Sequence, residues 1–141
     1  MPNLIAKTSI DIAAPATKVW DALVKPDLIR RYMFGAAVVS DFQEGSPITW
    51  TGEWKGKPYQ DKGRILKVEP RRKLQYSHFS PLSGLPDTPE NYHTVTIELA
   101  EARGQTRVVL SQDNNATEEA REHSQQNWKG MLEGLKKLLE K

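Results

Sequence analysis

From Leu4 to Ile12 the chain alternates, with Leu4, Ala6, Thr8, Ile10 and Ile12 on one side and Ile5, Lys7, Ser9 and Asp11 on the other. That is the period of a half-buried strand. The spacing then lengthens. Val19, Trp20, Leu23 and Val24 make the stripe of a short helix that opens at Pro15 and stops at Pro26, and a second short helix over 26–32 turns Leu28, Ile29, Tyr32 and Phe34 inward. Strand spacing returns over 36–42, 48–54, 60–68, 74–79, 94–100 and 106–113. The intervening turns fall at Glu44-Gly45-Ser46-Pro47, Lys55-Gly56-Lys57-Pro58, Pro70 to Lys73 and around Gly104, with a proline-rich loop over Ser80–Asn91.

The tail from Thr117 to Lys141 reads as one long helix, about 37 Å at 1.5 Å per residue. Trp128, Met131, Leu132, Leu135, Leu138 and Leu139 line one face of its last turns. Toward its start the same face carries Ala120, Ser124 and Asn127. Asn115 or Thr117 is placed to cap it. Glu118, Glu119 and Glu122 suit its positive end, and Lys136, Lys137 and Lys141 its negative end. The expectation is an α+β domain spanning 1–141, with a curved antiparallel seven-stranded sheet wrapped around the long C-terminal helix.

Composition narrows the function. Both signs of charge are mixed along the 141 residues and the net charge is only +2. A nucleic-acid surface would be far more basic, and Arg71-Arg72-Lys73 reads as a solvated hairpin tip. There is no cysteine, so disulfides and thiolate chemistry are out. No stretch suggests a signal peptide or membrane insertion, and a cytoplasmic protein is expected. The three histidines lack metal-ligand spacing, no phosphate loop or nucleophile elbow occurs, and no catalytic residue, metal or cofactor is assigned.

Several segments resemble a known family. Ile12-Ala13-Ala14-Pro15 with Val19-Trp20-Asp21-Ala22-Leu23, the Tyr32-Met33-Phe34 cluster, Phe42-Gln43-Glu44-Gly45-Ser46, Gly63 to Tyr76, and Trp128, Leu132, Leu135 and Leu139 are similar to the START-like (SRPBCC) superfamily. Within it they resemble bacterial proteins related to the activator of the heat-shock protein 90 ATPase. Here a tyrosine (Tyr32) stands where a tryptophan is usual. The resemblance implies the helix-grip fold and a cavity between sheet and helix. Chaperone activation in the namesake also uses a separate domain, so the cavity is the feature carried over.

Strand parity suggests what lines it. If hairpin turns set the register, Ile48, Trp50, Gly52 and Trp54 face inward beside Gln60, Arg64, Leu66 and Val68. Leu74, Tyr76 and His78 join them, with His93, Val95, Ile97 and Leu99, and with Val108, Leu110 and Gln112. The expected pocket is then Trp50, Arg64, Tyr76, His78, His93 and Gln112, roofed by Ser124 and Asn127, with Arg64 favouring a carboxylate or polarised carbonyl. The competing arrangement turns Arg64 to solvent, or pairs it with Asp61 or Glu53, and ties both histidines to backbone. A single bulge would invert a strand's list. The function expected is binding of a small hydrophobic or amphipathic molecule. Two alternatives stay open: a polyketide cyclase-like or hydrolase-like enzyme in the same cavity, and an interaction module acting with a chaperone or as a homodimer.

Overall fold

The computed structural model describes residues 4–33, 37–54, 56–80, 84–115 and 117–140, the side chain of Trp54 excepted. The expectations for Phe34, Ala36 and the inward turn of Trp54 lie outside what is described. The order is β1 (Leu4–Ile12), α1 (Ala16–Val24), α2 (Pro26–Tyr32), β2 (Ala37–Val39), β3 (Pro47–Trp54), β4 (Lys57–Glu69), β5 (Lys73–His78), β6 (His93–Ala102), β7 (Gln105–Asn115) and α3 (Glu118–Leu139). The strands form one antiparallel seven-stranded sheet, β1-β7-β6-β5-β4-β3-β2. This is the helix-grip arrangement, and only β1 departs from sequential pairing by closing on β7. β2 is shorter than the strand expected over 36–42.

The elements are anchored by contacts that their sequences explain unevenly. Thr117 caps α3, its Oγ1 accepting from Ala120 N at 3.0 Å. The α1 N-terminus has no side-chain cap of its own, and Glu101 of β6 supplies one, its carboxylate accepting from Ala16 N at 2.5 Å. At the α1–α2 junction the carbonyl of Ala22 would normally accept from the residue four positions on. That residue is Pro26, which has no N–H. The Tyr32 hydroxyl donates to Ala22 O instead, at 2.5 Å inside the core. Tyr32→Phe should therefore lower stability by about 1–3 kcal/mol in urea titration, because it strands a buried carbonyl.

The fully buried side chains Ile12, Val19, Ile48, Ile65, Leu74, Val95, Val108, Leu110, Leu132 and Leu135 come from sheet and helices alike. They make one layer between the concave sheet face and α1–α3. The backbone of α3 runs nearest β1, with smaller contacts to β7 and α2. Beside Ile48 and Trp50 of β3 and Leu74 and Tyr76 of β5, α2 contributes Ile29 and Tyr32 and α3 contributes Met131, and the hollow described below opens on that side. No helix among the described residues is long and apolar enough to cross a membrane.

Candidate functional site

The hollow depends on how β3 and β4 pair. Trp54 pairs with Lys57, so the reversal between them holds only Lys55 and Gly56, with Gly56 in the left-handed region at φ 79°. The even residues of β3 then pair with odd residues of β4: Ile48 with Gly63, Trp50 with Asp61, Gly52 with Tyr59. Antiparallel partners share a face, so Tyr59, Asp61, Gly63 and Ile65 turn inward. Gln60, Arg64 and Leu66 turn outward, which corrects the expected parity. Ile65 is fully buried and Leu66 is 42% exposed. A register shift between Ile65 and Lys67 then returns Val68 to the core side.

Arg64 accordingly does not line the hollow. It is exposed and donates from Nη1 to Gly45 O at 2.7 Å, in an open depression of about 700 Å³ on the outer face of the sheet that also holds Lys62, Leu66, Asp87 and Tyr92. Asp61 takes the inward place. Its Oδ2 lies 2.9 Å from His78 Nε2, and a carboxylate has no proton to give, so the imidazole donates. Asp61 Oδ1 and His78 Nδ1 are buried, with no hydrogen-bond partner among the described residues. Trp50 meets His78 edge-on at 5.0 Å between centroids and Tyr76 at 5.2 Å.

Around this pair lies a cavity of about 90 Å³, walled by Met33, Trp50, Tyr59, Asp61, Tyr76, His78 and Trp128. A narrower apolar cleft of about 20 Å³ continues inward past Leu23, Ile29, Phe42, Ile48, Leu74 and Met131, sharing Met33, Trp50 and Tyr76 with the first. Burial pushes the Tyr76 phenol well above its usual range. Tyr59 is also raised, by burial and then by the nearby Asp61 charge.

Trp50, Tyr76 and His78 are therefore brought together in one wall. His93 flanks them, its ring stacked on His78 at 6.3 Å and its Nδ1 2.8 Å from Asp113 O, the backbone tie that the competing arrangement foresaw. Gln112 and Ser124 stand beside the hollow rather than in its wall. Gln112 Oε1 accepts from Trp128 Nε1 at 2.6 Å, Gln112 Nε2 donates to Asn115 Oδ1 at 3.3 Å, and Ser124 Oγ donates to the same oxygen at 3.1 Å. The polar start of α3 thus pins the helix to β7. Asn127 is exposed and is no roof. The helical wall of the hollow is Trp128, one turn beyond Ser124.

Tyr32 and Tyr76 are both held protonated by burial. Above about pH 10 tyrosines ionise in the unfolded chain while these two keep their protons, so the folded state binds more protons and stability falls as pH rises. The expected slope is up to about 1.4 kcal/mol per pH unit for each phenol. Urea titrations between pH 9 and 11.5 should show it, and Tyr76→Phe should make it shallower.

Residues 13–140 match the family model described as Activator of Hsp90 ATPase homolog 1-like protein. The chain belongs to that family. The solution structure of ChR145 from Cytophaga hutchinsonii is 60% identical, with a TM-score of 0.85 over 97% of this chain and 94% of that one. The Aha1 dimer from Colwellia psychrerythraea shares 22% identity, with a TM-score of 0.75 over 99% and 97% of the two chains. CalU16 from Micromonospora echinospora shares 21%, with a TM-score of 0.70 over 95% and 82%. At those last identities the likeness is one of fold. No curated protein matches the chain in sequence.

Proposed function

We propose that this member of the family binds a small amphipathic molecule, its ring between Trp50, Tyr59, Tyr76 and Trp128 and its polar end at Asp61 and His78. The observation that carries the proposal is a hollow with aromatic walls and one polar pair, two of whose buried atoms have no partner among the described residues. Concave, mostly apolar sites with a few convergent polar groups are what small-molecule sites look like. Buried polar atoms ordinarily have partners, so a ligand or water belongs at these two.

At about 90 Å³ the space suits roughly three waters, short of the ~300 Å³ of a typical ligand pocket. Along with Trp50 and Tyr76, Met33 lines both this chamber and the inner cleft. Its thioether side chain adapts more readily than the rings beside it, and its movement would join the two. Met33→Ala should raise the affinity for bulkier ring compounds, as read by calorimetric titration, while leaving the polar contacts in place.

The test of the proposal is a thermal-shift screen with lipids, flavonoids and simple aromatics, with mass spectrometry of what is recovered. At a hundred times its dissociation constant a binder adds about 2.7 kcal/mol, a rise of several degrees. Recovery of the molecule unchanged fits a binding protein. A converted product would identify an enzyme instead, and no shift with any compound class would defeat the proposal.

A further inference from the structure

We infer that the polar pole of the hollow accepts hydrogen bonds and disfavours anions, so that its occupant is a small aromatic molecule presenting an O–H or N–H group rather than a carboxylate. This rests on the ligand-binding proposal and specifies the chemistry of the ligand. It also reverses the polarity that an inward Arg64 would have implied.

The two-residue β3–β4 reversal exchanges Arg64 for Asp61 on the inner face. Among the described residues, the wall of the hollow then carries the carboxylate of Asp61 and no lysine or arginine. His78 Nε2 is committed to Asp61 Oδ2, which on the uncharged imidazole leaves Nδ1 as an acceptor. Asp61 Oδ1 is an acceptor too, and these are the two buried atoms without partners among the described residues. The indole N–H of Trp128, a donor that could have faced an anion, is spent on Gln112 Oε1 at 2.6 Å. The rings of Trp50, Tyr59, Tyr76 and Trp128 line the rest of the wall; aromatic faces attract cations and polarised donors, and the Tyr59 and Tyr76 hydroxyls can accept as well as donate. An incoming carboxylate would meet a like charge and two lone-pair atoms. A phenol or a protonated amine would give each acceptor what it lacks.

Benzylamine, phenol and benzoate test this, each titrated into the full chain by calorimetry. Benzylamine, with or without phenol, is expected to bind roughly tenfold or more tightly than benzoate, the span that charge-assisted hydrogen bonds command. Binding of benzylamine alone marks an ammonium site, whereas binding of both marks a general donor site. Asp61→Asn, nearly isosteric, should abolish the preference over benzoate, and Arg64→Ala on the outer face should leave it intact. Benzoate binding as tightly as benzylamine overturns the inferred polarity and leaves the hollow as a binding site. Failure of all three to bind overturns the inferred ligand chemistry, and the broader thermal-shift screen then decides on the hollow itself. The ranking on the unaltered chain decides the matter even if Asp61→Asn does not fold.

Discussion

Replacing Gly63 with alanine is expected to destabilise the fold by about 3 kcal/mol, with a proportionate loss of urea midpoint. A Cβ at this position would stand 1.8 Å from Ser77 O, 2.7 Å from its carbonyl carbon and 3.3 Å from His78 N. All three are backbone atoms, so no side-chain rotation relieves the clash. Here β4 crosses close to β5, held below by Lys62 N to Phe79 O at 3.0 Å and Phe79 N to Lys62 O at 2.7 Å, and above by the Ile65–Tyr76 pairing. Pushing the strands apart would also separate Asp61 from His78, so the variant should lose ligand binding beyond its loss of stability. A change under 1 kcal/mol would mean that the two strands do not meet this closely.

Removing His78 alone should be costly, and removing it together with Asp61 should not. His78→Phe leaves the Asp61 carboxylate, whose side chain keeps only 16% of its exposure, without its hydrogen-bond donor. Breaking a fully buried pair from one side costs about 3–5 kcal/mol, and the residual exposure brings the expectation to about 2–3 kcal/mol. In the double variant Asp61→Leu, His78→Phe no charge is stranded, and such replacements are often neutral or stabilising. The expected result is recovery to within about 1 kcal/mol of the parent, with the preference for hydrogen-bond donors gone. That combination would mean the pair is kept for what it binds rather than for stability. A single variant as stable as the parent would contradict the buried geometry of the pair.

Much of this architecture is legible in the pattern of apolar residues. The alternation in β1, the prolines bounding α1 and α2, and the stripe of α3 place those elements within a residue or two of where they lie. In β5 to β7 the inward residues Tyr76, Val95, Ile97, Leu110 and Gln112 are also as the alternation implies. The faces of β4 were not legible from the turn composition, because an odd number of loop residues puts its even positions inward and an even number its odd positions, and a change of one residue flips every side chain. Two clues were present: Lys55-Gly56, a dipeptide able to turn a tight hairpin, and Ile65, which the wrong parity exposes. The later bulge hides the error by making Val68 correct under either count.

Other features depend on contacts too distant for local patterns to disclose. Glu101 caps α1 across 85 residues, and Glu140 accepts from Ala13 N across 127. Ser124 looked like the rim of a cavity because a polar residue on an inward helical face has two uses. It can face a ligand, or it can close a network on a neighbouring strand, as it does with Asn115. Which use applies is decided by the length of β7, which runs on to Asn115 and carries that amide under the helix.

Occupation of the hollow is read most directly in the indole N–H resonances of the chain during titration with phenol. The four tryptophans include two in the wall, Trp50 and Trp128, and one, Trp20, buried in α1 away from it. Saturable shifts of the Trp50 and Trp128 signals together, with Trp20 still, are the expected result. If those two signals stay fixed at saturating phenol and also at saturating benzylamine, or if only amides of the outer face around Lys62, Arg64 and Thr94 respond, the space between sheet and helix is not where this protein meets its ligand.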